Sequence, residues 1–236
     1  MTMAEPSARV VMLSGATRGI GRAIAERLTG EGYRLSLGVR RPDAAAAAFP
    51  DALVHRFDAL EPATAQSWIE ATAARFGRID ALINNAGMLA PFALEDGPET
   101  VLQQHWDVNV MAPFRLTQQC LPWLARAGQG RVINIASTDG KRVRAGSSIA
   151  YAMSKHALIA MTHAIRFAGW DAGVRATALC PGAVDTDLIA DLPGVTPKPE
   201  RLQPETIAET VAFLLRLPNT ASVAELVMNT RLESGI

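Results

Sequence analysis

The chain has 236 residues, of which 49% are hydrophobic and 19% are charged, and its formal net charge at pH 7 is zero. This composition excludes a disordered chain and gives no general attraction to nucleic acid or to an anionic membrane. The length, with no evident linker, predicts one domain over residues 1–236. Neither a signal-peptide pattern nor an apolar run of membrane-spanning length is present, and Cys120 and Cys180 have no Cys-x-x-Cys partner. We therefore expect a cytoplasmic protein with reduced thiols.

Short apolar runs alternate with helical patterns along most of the chain. The predicted strands cover residues 9–14, 33–39, 53–57, 79–83, 132–136, 174–179 and 223–228. The predicted helices cover residues 20–29, 44–48, 63–76, 99–126, 150–169 and 204–216, the fourth with a break near Pro113. This alternation predicts an α/β protein with a mainly parallel sheet of about seven strands. Helices should cover both faces of that sheet, which makes the fold doubly wound.

A glycine-rich turn joins the first predicted strand to the first predicted helix. Residues 14–21 read Ser-Gly-Ala-Thr-Arg-Gly-Ile-Gly. Gly15 permits a tight turn, Gly19 lets the backbone approach a pyrophosphate, and Gly21 lets the helix pack closely on the strand. The helix N-terminus offers free N–H groups and the positive end of its dipole. An ordinary glycine-rich turn is the alternative, but the strand before and the helix after favour a dinucleotide site.

The spacing Gly-x-x-x-Gly-x-Gly resembles that of the short-chain dehydrogenase/reductase family, and the resemblance extends from Val10 to about Leu226. This resemblance implies a Rossmann fold and an oxidoreductase with a nicotinamide cofactor. Further motifs match at the family's positions. They are Asp58, Asn84-Asn85-Ala86-Gly87, Asn109 in Asp-Val-Asn-Val, Ser137 after the fifth strand, Tyr151 and Lys155 in Tyr-x-x-x-Lys, and Pro181-Gly182 with Val184 and Thr186 beyond.

Four residues form the catalytic set that the resemblance implies: Ser137, Tyr151, Lys155 and Asn109. Tyr151 would protonate the carbonyl oxygen as hydride arrives, Lys155 would hold the nicotinamide ribose, Ser137 would bind the substrate oxygen, and Asn109 would anchor a water chain. Tyr151 and Lys155 are four residues apart, so they share one helix face, although such a pair is also common on protein surfaces. Because a nearby ammonium favours the phenolate, we expect Lys155 to lower the pKa of Tyr151.

The same resemblance implies which residues bind the cofactor, and the end of the second strand indicates NADP(H) rather than NAD(H). Enzymes of this fold that use NAD generally place an acidic residue there, whereas this chain reads Gly38-Val39-Arg40-Arg41, with no carboxylate before Asp43. Arginine donors suit a 2′-phosphate. The expected cofactor-binding residues are Gly15, Thr17, Arg18, Gly19, Ile20, Gly21, Arg40, Arg41, Asp58, Asn85, Ala86, Gly87, Tyr151, Lys155, Pro181, Gly182, Val184 and Thr186.

The predicted activity is hydride transfer between NADP(H) and a carbonyl or alcohol group of a small molecule. A non-catalytic NADP(H)-binding sensor or interaction protein of the same fold is the alternative. No metal site is expected, because the four histidines lack metal-ligand spacing. A positively charged loop with Lys141, Arg142 and Arg144 suggests a substrate with a negative group, although a solvated loop is the simpler interpretation.

Two further expectations concern the outside of the molecule. Helices 99–126 and 150–169 carry more apolar surface than one sheet covers, and in the family they meet across a two-fold axis, so we expect a homodimer or homotetramer. The proline-rich stretch at about 188–203 is expected to be a loop that covers the substrate.

Overall fold

Seven strands form a single, wholly parallel sheet in the computed structural model, which describes residues 9–143, 148–192 and 194–231. The strand order is β3-β2-β1-β4-β5-β6-β7. The strands are β1 Val10–Ser14, β2 Arg34–Val39, β3 Leu53–Arg56, β4 Ala81–Asn84, β5 Arg131–Ile135, β6 Arg175–Pro181 and β7 Glu225–Met228. Every residue of β1, β4 and β5 is buried, as expected for strands that are covered on both faces.

Within the described residues, seven α-helices cover the sheet, and their apolar sides explain why both faces are buried. Helices α1, α2 and α7 contribute to one hydrophobic cluster, and α3, α5 and α6 contribute to a second cluster on the opposite face. This arrangement confirms the predicted doubly wound α/β fold. The helices are α1 Gly19–Gly30, α2 Pro42–Ala48, α3 Pro62–Phe76, α4 Glu99–Trp106, α5 Ala112–Arg126, α6 Ile149–Gly169 and α7 Pro204–Arg216.

The strand order reverses between β1 and β4, and this reversal determines where a ligand can bind. The loops that follow two such strands diverge to opposite faces and leave a crevice at the carboxyl edge of the sheet. Ser14 of β1 is paired with Gly38 of β2, and Asn84 of β4 with Asn134 of β5. The segments that follow these strands therefore begin side by side at the carboxyl edge of the sheet.

The helix that was predicted over residues 99–126 is interrupted close to Pro113, where the break was expected. A π-helical turn over Asp107–Met111 separates α4 from α5. Pro113 lies directly after this π-helical turn, in a backbone that stays helical through Met111 and Ala112, so it lacks an N–H that a regular helix would use there. The interruption therefore precedes the proline, and it places Asn109 on a wider helical turn of a kind often found at functional sites.

Three global properties bear on function. No helix in the described ranges is both long enough and apolar enough to cross a bilayer. Cys120 and Cys180 are both free thiols in the interior. Within residues 9–143, 148–192 and 194–231, no group of three or more His, Cys, Asp or Glu side chains is arranged to hold a metal ion.

Candidate active site

The glycine-rich turn between β1 and α1 is tightly built. Gly15 and Gly19 have φ angles of 75° and 52°, in the left-handed region that glycine tolerates without strain. A Cβ atom on Gly21 would lie 2.1 Å from the carbonyl oxygen of Gly15, so this close packing requires glycine. The N–H of Gly15 donates to the carbonyl of Gly38 at 2.8 Å, which aligns the turn with the end of β2. The backbone thus forms the shape that was expected of a phosphate-binding turn.

The start of α1 is suited to a negatively charged group. No side chain caps the helix, because Arg18 at the N-cap accepts no hydrogen bond, and the first turn contains no acidic residue. Its first N–H groups and the positive end of the helix dipole therefore remain available to a phosphate.

The segment after β4 holds the glycine turn in place. Asn85 donates from its side-chain amide to the carbonyls of Ser14 and Gly15, both at 3.0 Å. The hydroxyl oxygen of Ser14 accepts the backbone N–H groups of Asn85 and Ala86, also at 3.0 Å. The structure therefore shows Asn85 as a support of the turn, in addition to its expected role as a cofactor-binding residue.

The positively charged residues at the end of β2 are accessible. Arg40 and Arg41 are both exposed, and no carboxylate among the described residues forms an ion pair with either of them. Arg18 forms an ion pair with Asp187 at 3.2 Å, and about 60% and 76% of the two side chains are exposed. Such an exposed pair is weak, so an anionic ligand can replace Asp187 as the partner of Arg18 with little loss of free energy.

Asp58, which was expected to bind the cofactor, lies next to the end of β2. The preceding residue, Phe57, donates its N–H to the carbonyl of Val39 at 2.9 Å. The Asp58 carboxylate accepts the N–H of Leu60 at 3.0 Å. This bond holds the start of the loop before α3 in a turn and leaves the side chain partly accessible.

Asn109 is buried, and both the nitrogen and the oxygen of its side-chain amide are hydrogen-bonded. Its nitrogen donates to the carbonyl of Met88 and to the hydroxyl of Ser154, each at 3.0 Å. Its oxygen accepts the N–H of Met88 at 2.9 Å. Ser154 in turn donates to the carbonyl of Tyr151 at 2.8 Å. The π-helical turn is thereby connected to both α6 and the loop after β4.

The remaining three catalytic candidates meet where β5 ends. The Ser137 side chain lies close enough to the Tyr151 phenol to affect its pKa. Lys155 is buried, and its ammonium donates to the carbonyl of Ile135 at 2.7 Å and lies 5.5 Å from the centre of the Tyr151 ring. Gly87 is close as well, since a Cβ atom on it would lie 3.8 Å from the Lys155 ammonium. The structure thus brings Ser137, Tyr151 and Lys155 together.

Burial controls the protonation of this group. It raises the pKa of the Tyr151 phenol; the Ser137 side chain opposes this shift, while the charge of Asp139 adds to it. Burial also lowers the pKa of Lys155 to about 8. The net shift of the Tyr151 pKa is therefore upward, because burial outweighs the contributions that lower it. At neutral pH the phenol keeps its proton, as a general acid must.

The segment after β6 folds over the glycine turn. Gly182 donates its N–H to the carbonyl of Met228 at 2.8 Å, and Val184 forms an isolated parallel bridge with Leu202. Thr186 contacts the turn, because a Cβ atom on Gly19 would lie 3.0 Å from its methyl group. Residues 187–201 contain two short 3₁₀ turns, and the expected substrate loop falls here, with Pro193 outside the described residues.

Two findings go beyond the sequence-based interpretation. Ser154 was not singled out, and the only available signal was its position just before Lys155 in Tyr-Ala-Met-Ser-Lys. Lys141 was considered as a substrate-binding cation, but its ammonium is paired with Glu225 at 2.5 Å. Arg144 lies outside the described residues.

Comparisons with known proteins agree with this geometry. A family model described as short chain dehydrogenase matches residues 9–194. An agropine synthesis reductase of Rhizobium rhizogenes is 43% identical over 219 residues, which are 91% of this chain and 50% of that protein. The chain thus spans about half the length of such relatives.

Two other proteins match over nearly their whole length. A protein assigned as a ketoacyl reductase of the granaticin polyketide synthase, from Streptomyces violaceoruber, is 35% identical, and the match covers 96% of this chain and 97% of the relative. The structure of an alcohol dehydrogenase from Thermococcus sibiricus, solved with 5-hydroxy-NADP, has a TM-score of 0.85 and 31% identity. That match covers 93% of this chain and 95% of the other.

Proposed function

The chain belongs to the short chain dehydrogenase family, and we propose that it transfers hydride between NADP(H) and a carbonyl or alcohol carbon of a small molecule. One observation carries the proposal: the Tyr151 phenol lies beside the Ser137 side chain and on the same helix face as the buried ammonium of Lys155. A proton donor, a second hydroxyl and a cation that meet at the carboxyl edge of a parallel sheet suit carbonyl reduction.

The residues present fit a nicotinamide dinucleotide. The turn over Gly15, Gly19 and Gly21 leaves no room for side chains, and the uncapped start of α1 faces the place where phosphates bind in this fold. Gly87 opens space beside Lys155. When bound, the nicotinamide supplies or accepts the hydride, and the residues of this chain supply position and protons.

The roles of the catalytic residues follow from their contacts. Tyr151 would donate its phenolic proton to the substrate oxygen, since burial keeps the phenol protonated at neutral pH. Ser137 would donate its hydroxyl proton to the same oxygen and stabilise the charge that develops there. Lys155 would hold the ribose hydroxyls of the cofactor. Its burial favours a dry site in which these hydrogen bonds are strong.

Asn109 would act mainly by positioning. Its amide nitrogen is fully used by Met88 and Ser154, while its oxygen accepts one hydrogen bond and keeps one lone pair for a water molecule. This geometry is compatible with an anchored water, and it also ties the segment after Gly87 to the helix that carries Tyr151.

We propose NADP(H) rather than NAD(H) because Arg40 and Arg41 are exposed where the ribose 2′-position lies in this fold, and no ion pair within the described residues engages them. Arg18 adds a third guanidinium, because its ion pair with Asp187 is exposed and weak and can be exchanged for a phosphate.

The direct test is absorbance at 340 nm with purified protein, both cofactors, and a panel of aldehydes, ketones, diketones and keto acids. Oxidation of NADPH that depends on a carbonyl compound is the expected result. Binding of NADPH without turnover on any member of the panel would favour the alternative, a sensor or interaction protein that retains the fold. The four catalytic candidates disfavour that alternative, since a sensor needs no buried acid beside the cofactor.

A further inference from the structure

A charged cluster lies on the outer side of the turn that follows Ser137. Lys141, at the end of that turn, donates to Oε2 of Glu225 at 2.5 Å. His163 of α6 lies 2.7 Å from Oε1 of the same carboxylate through its Nε2 atom. Arg166, one turn further along α6, lies 3.3 Å from Nδ1 of His163. Three separate elements, the turn, α6 and β7, therefore meet at Glu225.

The chemistry of the cluster fixes its hydrogen-bond directions. An arginine has donors only, so Nδ1 of His163 must accept from Arg166. In the neutral imidazole the proton then resides on Nε2, which donates to Glu225. Each carboxylate oxygen of Glu225 thus receives one donor from a different element. The hydrogen bond from Lys141 is the main reason why the pKa of Glu225 is lowered, and His163 contributes in the same direction.

Backbone bonds connect Lys141 rigidly to Ser137. The N–H of Asp139 donates to the Ser137 hydroxyl oxygen at 3.1 Å, and the N–H of Gly140 donates to the Ser137 carbonyl at 3.0 Å. The N–H of Lys141 donates to the carbonyl of Thr138 at 3.0 Å. A displacement of Lys141 therefore moves the residue that carries the catalytic hydroxyl.

The inner side of this turn already rests on α6. A Cβ atom on Gly140 would lie 2.8 Å from both the Lys155 carbonyl and the Ile159 side chain, so the turn sits directly on the helix. The outer side has the Lys141–Glu225 pair, whose side chains are 31% and 23% exposed. Because this pair is partly shielded, solvent screens it less than it screens a fully exposed pair.

We propose that Glu225 is a positioning residue that holds the Ser137 turn against α6 and β7 through Lys141. This inference rests on the proposed function, and it assigns to Lys141 a role other than attracting a negatively charged substrate. Loss of either partner would remove the link from the turn to β7. The Ser137 hydroxyl would then sample positions in which it does not reach the substrate oxygen, and small displacements of that kind are costly in catalysis.

The test compares Lys141→Met, Glu225→Gln and their double mutant with wild type. In steady-state kinetics we expect each single variant to lose roughly ten- to a hundred-fold in kcat, with the Kd for NADPH, measured by fluorescence, within about twofold of wild type. The double mutant should be no slower than the slower single variant, because both changes remove one interaction. Lys141→Arg should recover most of kcat.

Amide hydrogen exchange provides a readout that does not require turnover. Exchange at Gly140 and Lys141 should be roughly tenfold faster in Lys141→Met and in Glu225→Gln than in wild type. Glu209→Gln is the matched control, because Glu209 pairs with Arg27 between α7 and α1, away from Ser137, and should change neither exchange in the turn nor kcat.

The outcomes separate this inference from the proposed function. Wild-type protein without turnover on the panel would contradict the function, while the exchange data would still test the link from Glu225 to the turn. Unchanged exchange in the turn would overturn the inference. It would also be overturned by kcat values within twofold of wild type in both single variants, or by strictly multiplicative losses in the double mutant.

Discussion

Tyr151 is the residue on which the proposed chemistry depends most directly. Its phenol lies beside the Ser137 side chain, and its ring lies near the Lys155 ammonium. In Tyr151→Phe the ring still packs but the proton donor is lost, so we expect kcat to fall by at least about 10²-fold. The Kd for NADPH should stay near that of wild type, whereas Lys155→Ala should impair both properties. Substantial activity of Tyr151→Phe on the best substrate would contradict the assignment.

Lys155 should make stability depend on pH in a defined direction. Burial lowers its pKa in the folded protein to about 8, from 10.5 in an unperturbed lysine. Between these values the unfolded chain binds more protons than the folded one. The contribution of this group therefore makes the free energy of unfolding rise with pH. The gain is at most about 1.4 kcal/mol for each pH unit.

The measurement is urea unfolding of wild type and Lys155→Met at pH 7.5, 8.5 and 9.5. The free energy of unfolding of the wild type should rise relative to that of the variant across this series. Taking the difference largely removes the contributions of titrating groups that do not interact with Lys155. A gap that is constant with pH would show that Lys155 titrates normally.

Arg40 should determine the choice of cofactor. One charge-assisted contact of about 1.5–3 kcal/mol corresponds to a preference of roughly ten- to a hundred-fold for NADPH over NADH in kcat/KM. Arg40→Asp should erase or invert this ratio, since a carboxylate repels the 2′-phosphate and accepts from a 2′-hydroxyl. Arg34→Asp, at the opposite end of β2, is the matched control. A wild-type preference for NADH would refute the proposal, and an unchanged ratio in Arg40→Asp would move the role to Arg41 or Arg18.

At the scale of elements, the contact between β2 and α3 depends on the absence of one side chain. Trp68 of α3 is fully buried and donates from its indole nitrogen to Ser36 at 2.8 Å. Its ring covers Gly38, where a Cβ atom would lie 2.5 Å from the ring carbons. Since the ring is enclosed, α3 itself must shift to accept even an alanine.

We therefore expect Gly38→Ala to lower the free energy of unfolding by about 1–3 kcal/mol. Gly30→Ala is the matched control, because Gly30 ends α1 and a Cβ atom there would meet no neighbouring group within 4 Å, so alanine should be neutral or stabilising. Chemical denaturation of both variants measures the contrast. Equal stabilities would mean that α3 accommodates the extra methyl group without strain.

At the scale of the whole molecule, the outer side of α6 suggests self-association. This side carries exposed apolar residues at helical spacing: Met153, Ala160, Ala164, Phe167 and Ala168. Exposed Phe114 adds apolar surface on α5. Small side chains allow a second helix to approach closely, which makes this side a suitable interface for another copy.

We propose a homodimer or larger homo-oligomer, which sedimentation velocity at micromolar concentration can test. A mass of at least twice 25.2 kDa is expected for the wild type. Ala164→Glu should shift the protein towards monomer, because it places a charge in the centre of this apolar side. Ala47→Glu on exposed α2 is the control and should leave the mass unchanged. A monomeric wild type would end the proposal.

The sequence by itself determined the fold and the identity of the candidate residues. Strand and helix periodicities are local properties, and the comparisons and the structure confirm the parallel, doubly wound sheet that they predict. Motifs directly after strands, such as the glycine turn after Ser14 and the serine after β5, must lie at the carboxyl edge of such a sheet. Tyr151 and Lys155 share a face because helical geometry requires it.

Only the tertiary structure decided the environments of these residues. The direction in which the Tyr151 pKa shifts depends on burial, which no local sequence pattern reveals. Asn109, on the π-helical turn, is hydrogen-bonded to Met88 and Ser154, which are 21 and 45 residues away. The partner of Lys141 is 84 residues further along the chain. Packing brings such distant residues together. Their burial and pairing then determine the protonation states of side chains whose approximate location the sequence alone predicts.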